Sequence, residues 1–187
     1  AKVGARPVQL LRASTGLLRS LMKVAEFTRA HREALFLGDL DSSDPDLEAL
    51  QADAFWASGL FEEAEMKYRD ILAEEPSNAA ARHGLGRSLA ARSRLEEGLA
   101  EVITAIASGD DRPEFYHTLG SIYRRLRQYQ KSSDALEQYV EMLPNVRDSK
   151  RTEWARSEIL FLRSFRDLLP FEITGDADVV HTIPFQV

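Results

Sequence analysis

The sequence predicts an all-α chain: a right-handed α-solenoid of three helix pairs, with flanking capping helices and a short extended C-terminal tail. Three observations lead there. Apolar residues recur at helical spacing over most of the 187 residues. A 34-residue unit repeats without a gap over 45–78, 79–112 and 113–146. Small residues fall at matched points of each unit, where two helices must approach closely. One such unit cannot bury its own apolar face, so the units must stack.

The elements follow in chain order. Residues 1–44 read as an N-terminal helical cap, with Leu10, Leu11, Leu17, Leu18, Leu21, Val24, Ala25 and Phe27 on a broad apolar stripe that Gly16 could divide. Counting back one repeat length gives a degenerate match, with Ala30 and Leu37 at repeat positions 20 and 27. "GDLDSSD" at 38–44 reads as a loop into the first repeat.

Within 45–146, position 8 is Ala52, Gly86 and Gly120, and position 20 is Ala64, Gly98 and Ser132. Large residues fill the seam beside them: Phe55, Leu89 and Tyr123 at position 11, and Tyr68, Val102 and Leu136 at position 24. Position 27 carries Ile71, Ala105 and Tyr139. Pro76 and Pro144 at position 32 stop a second helix, whereas the middle unit has Asp110 there. Helices are expected at 46–58 and 62–75, 80–92 and 95–108, and 114–126 and 129–142. The middle unit departs most from the pattern, through Gly98 and Asp110.

Residues 147–168 read as a C-terminal capping helix whose apolar side is Trp154, Ile159, Leu160, Leu162 and Phe165. Residues 169–187 change character. Two prolines, β-branched residues and a Gly-Asp turn read as extended strand and turn, the lead-in to a domain beyond this chain.

The segments "ADAFWASGLFEEAEMKYRDILAEEPSN" and "FYHTLGSIYRRLRQYQKSSDALEQYVEMLPN" resemble tetratricopeptide repeats, over 45–146. The resemblance implies that positions 2, 5, 9 and 12 of each first helix line a concave groove that binds polypeptide. It then places Asp53 and Trp56, His83 and Arg87, and His117, Ser121 and Arg124 in that groove, with Arg151 added if the last helix keeps the register. Arg125 lies at its edge. Trp56 is either a binding hot spot or a contact between repeats. The arginines are either carboxylate-binding groups or ordinary solvated charges. Some family members clamp chaperone tails with Lys and Asn. Ala49, Asp53, Gly84, Glu114 and Thr118 do not match that set.

Composition removes other classes. The net charge of −6 argues against nucleic-acid binding through the overall field. Charge is nonetheless uneven: residues 1–36 hold seven Lys or Arg against two Glu, and 37–76 hold twelve acids against Lys67 and Arg69. This suggests intramolecular docking or simply solvated faces of opposite sign. There is no Cys, which excludes disulfides and thiol chemistry and leaves cytoplasm and periplasm both open. No apolar run is long enough for a membrane span. No nucleophile elbow, phosphate loop or paired-His metal motif occurs, and "GLG" at 84–86 reads as close helix packing. His83 and His117 lie one repeat apart with no further ligands, so neither metal nor cofactor is expected.

The leading functional expectation is a non-catalytic module that binds a protein or peptide, acidic in character, or the C-terminal domain of its own protein. The alternative is the recruiting or regulatory part of a larger enzyme. "DVVHTIPFQV" resembles the lead-in strand of retropepsin-like aspartic proteases in some repeat-containing bacterial proteins, although their Asp-Thr-Gly signature is absent. A structural assembly role through the solenoid edges is a third expectation.

Overall fold

The computed structural model describes residues 5–38, 45–110, 112–143 and 150–168. Among these it contains nine α-helices and no strand: α1 (Ala5–Lys23), α2 (Phe27–Gly38), α3 (Pro45–Ala57), α4 (Phe61–Glu74), α5 (Ala79–Ala91), α6 (Leu95–Ala107), α7 (Pro113–Arg125), α8 (Tyr129–Glu141) and α9 (Lys150–Leu168). The six helices expected in 45–146 begin and end within about one residue of their expected bounds, the scatter inherent in helix ends. The expected extended tail, its protease-like lead-in and most of the 38–44 loop lie outside the described residues.

The repeat period is written into the backbone. Left-handed residues occur at Ala25, Gly59, Ser93 and Arg127, one every 34 residues. Each ends the first helix of a pair in the same way. The amides of Glu26, Leu60, Arg94 and Gln128 reach back to the carbonyls of Leu21, Phe55, Leu89 and Tyr123 at 2.9–3.0 Å. This is the hydrogen bond that closes a left-handed helix cap and satisfies an orphan carbonyl. The break between α1 and α2 therefore falls at Ala25. Gly16 sits inside α1 with open space around it, because nothing there forces the chain to turn. The first pair thus shares the phase of the three pairs that follow.

Packing follows the matched positions. Ala52, Ala64, Tyr68, Val102, Ala105 and Leu136 are all essentially removed from solvent. In the middle pair, Gly86 and Gly98 face each other so closely that a Cβ on Gly98 would stand 2.5 Å from the Gly86 carbonyl oxygen. Gly98 makes this unit the most divergent in sequence, yet it gives α5 and α6 direct backbone contact. The third pair uses Ser132 in its place, and the Ser132 hydroxyl donates to the Gly120 carbonyl at 2.7 Å. Local caps help fix the ends. Asn78 accepts the Ala81 amide at 2.9 Å, worth about 1 kcal/mol, and Pro113 opens α7.

Two expected stripes are only partly buried. On α1 the core takes Leu18 and Leu21, whereas Leu10 and Leu17 on the same helix, Val24 in the turn and Phe27 at the start of α2 are exposed. On α9 the core takes Thr152, Ala155, Ile159 and Leu162, and Trp154 and Leu160 are exposed. Each of these terminal helices has a neighbour on one side only, so half of a broad apolar stripe stays outside.

On the face of α4, Glu65 is buried and binds three cations: Arg69 at 2.8 Å, Arg92 and Arg94. Burial by itself would raise its pKa. Hydrogen bonds from Arg69 and Arg92 and the charge of Arg94 outweigh that and hold it below the ordinary glutamate value. This hub ties the first repeat to the turn of the second.

Candidate functional site

A concave cavity of about 660 Å³ opens across α3, α5, α7 and α9. Of the eight groove residues expected from sequence, Trp56, His83, Arg87, His117, Ser121 and Arg151 line it. First helices of successive pairs stack side by side, so positions one repeat apart meet across the groove.

At the N-terminal end these side chains form a closed network. Arg87 pairs with Asp53, its counterpart one repeat earlier, and also donates to the Tyr68 hydroxyl at 3.1 Å. The Tyr68 hydroxyl donates to Asp53 at 2.7 Å. The Arg87 guanidinium lies 4.2 Å from the centre of the Trp56 ring. Burial disfavours the Arg87 charge, but Tyr68 and Asp53 more than offset this, and its pKa is raised. Burial also raises the Tyr68 pKa, helped by the Asp53 carboxylate. Asp53, whose side chain is 46% exposed, holds Arg87 from outside the cavity and does not line it. Trp56 lines the groove and, through Arg87, also joins the first repeat to the second.

His83 sits within this closed region. It is 8% exposed, stacks on Phe115 with ring centres 4.5 Å apart, and shares a 2.8 Å hydrogen bond with the Thr118 hydroxyl. Burial, reinforced by the Arg87 charge, pushes its pKa down to about 3, so it is neutral at physiological pH. His117, at the same register one repeat on, is half-buried between Tyr139 and Trp154, each 5.3 Å away. Burial and the Arg151 charge lower its pKa as well.

The C-terminal end is open. Arg125, Lys150 and Arg151 line it with Ser121, Tyr139, Leu143 and Trp154. Arg125 donates to the Ala90 carbonyl. Among the described residues no carboxylate forms an ion pair with any of these three cations. Glu114 is the one acidic residue in the cavity wall among the described residues. Arg124, expected in the groove, is instead exposed and binds Glu158 at 2.9 Å, outside the cavity wall. Its neighbour Arg125 turns inward.

Sequence reasoning missed Lys150 and left Arg125 at the edge. It also assigned Trp154 to the buried face of the last helix. A signal was present for Trp154: counted in register, it occupies position 8, where every preceding unit of 45–146 has Ala or Gly. A tryptophan cannot fit that seam, so α9 must present it elsewhere. Among the described residues, no cluster of His, Asp and Glu is placed to hold a metal, and no helix is long and apolar enough to cross a membrane.

Paired helices in a fixed 34-residue phase, with a groove built from first helices, define a helical-repeat scaffold of the kind that binds other proteins. Residues 55–122 match the tetratricopeptide-repeat family. No curated protein matches its sequence. Solved structures show the same fold at low identity. A thermophilic tetratricopeptide-repeat protein of Thermus thermophilus superimposes with a TM-score of 0.70 at 17% identity, over 83% of this chain and 82% of that one. PilF of Pseudomonas aeruginosa gives 0.62 at 19%, over 88% and 77%. The type III secretion translocator chaperone SycD of Yersinia enterocolitica gives 0.60 at 14%, over 68% and 91%.

Proposed function

We propose that this chain is a protein-interaction module whose concave groove takes an extended, acidic polypeptide segment, anchored at the C-terminal end of the groove. The observation that supports this is the trio Arg125, Lys150 and Arg151, without a carboxylate partner among the described residues, beside the exposed aromatic wall of Trp154. Three cations facing one carboxylate, Glu114, leave the cavity wall with an excess of positive charge in a protein that is acidic overall. Arginine binds carboxylates through two parallel hydrogen bonds. A tryptophan with an open face supplies large contact area at low entropic cost. Arg87 contributes shape and a cation–π contact, because Asp53 already holds its charge.

The test is peptide capture. Arg125→Glu combined with Arg151→Glu is expected to weaken binding of a labelled acidic-aromatic peptide at least 100-fold, while helicity by circular dichroism stays unchanged. Undiminished binding by the folded double variant would overturn the assignment.

A further inference from the structure

Resting on that reading, we infer that the chain's own C-terminal segment, residues 169–187, occupies the Arg125–Lys150–Arg151 end of the groove in cis, as a resident ligand that an external partner must displace.

Charge is the first support. The segment carries Glu172, Asp176 and Asp178 and has no Lys or Arg. It therefore complements the one part of the cavity wall whose cations lack carboxylate partners among the described residues. A docked carboxylate there would add an ion pair to Lys150 and Arg151, beside Arg125, which already donates to the Ala90 carbonyl and to the Ser93 hydroxyl at 3.4 Å.

Reach is the second. The segment follows directly from α9, the same helix that carries Lys150, Arg151 and Trp154. At the helical rise of 1.5 Å per residue, Arg151 lies about 26 Å back from Leu168. An extended chain gains about 3.3 Å per residue, so it covers that distance in about eight residues. Asp176 and Asp178 are the acids at that spacing. Glu172 falls too early, about half-way along the helix.

Side-chain pattern is the third. Phe171, Ile173 and Val179 fall at odd positions, and Glu172, Asp176 and Asp178 at even ones. In an extended strand, neighbouring side chains alternate sides. Apolar groups could thus meet Trp154, Tyr139 and Leu143 while the carboxylates meet the cations. A tethered ligand also works at an effective concentration in the millimolar range, so even weak contacts keep it bound against free competitors.

The absence of cysteine makes disulfide trapping clean. The full chain with Ser121→Cys and Ala177→Cys, at micromolar concentration, is compared with Glu63→Cys and Ala177→Cys, which places the first thiol on α4. The proposal expects an intramolecular disulfide to form at least tenfold faster in the Ser121 pair. Equal rates, or mainly disulfide-linked dimers, would overturn it.

A second measurement uses a fluorescein-labelled peptide of four alternating Glu-Phe units. Glu172→Lys, Asp176→Lys and Asp178→Lys together should tighten its binding to the full chain about tenfold, and an unchanged affinity counts against a resident tail. If neither chain binds the probe although the Ser121 disulfide forms, the external-partner reading fails and the tail assignment stands. If the probe binds but that disulfide does not form, the tail assignment fails and the external-partner reading stands.

Discussion

The two ends of the concave face use the same residue types in opposite ways. Toward α3 and α5, Arg87 is consumed by Asp53, Tyr68 and Trp56, and His83 is buried against Phe115. Toward α7 and α9, Arg125, Lys150 and Arg151 have no such carboxylate among the described residues, and His117 is only half-buried. Both ends contain an aromatic residue and at least one cation. One closes on itself and stiffens the joint between repeats, whereas the other leaves charge for a ligand. An arginine in a groove is therefore informative only once the positions one repeat away are known, because those decide whether its charge is already spent.

The largest expected effect concerns the seam that holds the two ends at a fixed distance. In Gly98→Ala, the new methyl meets the Gly86 carbonyl and the Ala90 amide, which are backbone and cannot swing aside. Helix propensity would return about 1 kcal/mol, but forced backbone separation costs about 3 kcal/mol. A net loss of about 2 kcal/mol should appear in the urea midpoint, together with weaker peptide capture. Gly16→Ala has open space and should stabilise by about 0.5–1 kcal/mol. If Gly98→Ala behaves like Gly16→Ala, the close seam is not what sets the spacing.

Acid should separate the ends next. The unfolded His83 takes up a proton below its ordinary value of 6.5, whereas the folded one stays neutral down to about 3. The unfolded state binds more protons throughout that window, so stability falls as pH drops from 6.5. The slope is up to about 1.4 kcal/mol per pH unit. Glu65 acts in the same direction at lower pH: its folded pKa is depressed, and its contribution is lost as the carboxylate protonates. In thermal melts between about pH 7.5 and 5, the pH dependence should flatten in His83→Gln, which keeps a hydrogen-bonding group toward Thr118. It should flatten less in His117→Gln. Equal flattening would erase the distinction between the two histidines.

The smallest effect is the most direct on charge. Asp53→Ala removes the partner that neutralises Arg87. Both side chains are partly exposed, so the loss in stability should be about 1 kcal/mol. Acidic-peptide affinity should instead rise a few-fold, measured by fluorescence anisotropy, because the closed end now resembles the open one. An unchanged affinity would show that charge neutralisation is not what separates them.

The sequence alone determined the fold: a strict 34-residue period, small residues at two positions and large ones at two more leave a stacked helical-pair solenoid as the arrangement that buries them. It also named six side chains of the cavity wall, since groove-facing positions follow from helical geometry. The tertiary structure decided the rest, for reasons of distance between repeats. Only stacking showed that Arg87 meets Asp53 and that Arg124 meets Glu158 while Arg125 turns inward. Only packing showed that Ala25, with no glycine to mark it, adopts the left-handed turn that puts the first helix pair in phase. Local sequence carries periodicity and propensity. Which charges remain free depends on neighbours one repeat length away, and those contacts exist only after the helices have stacked.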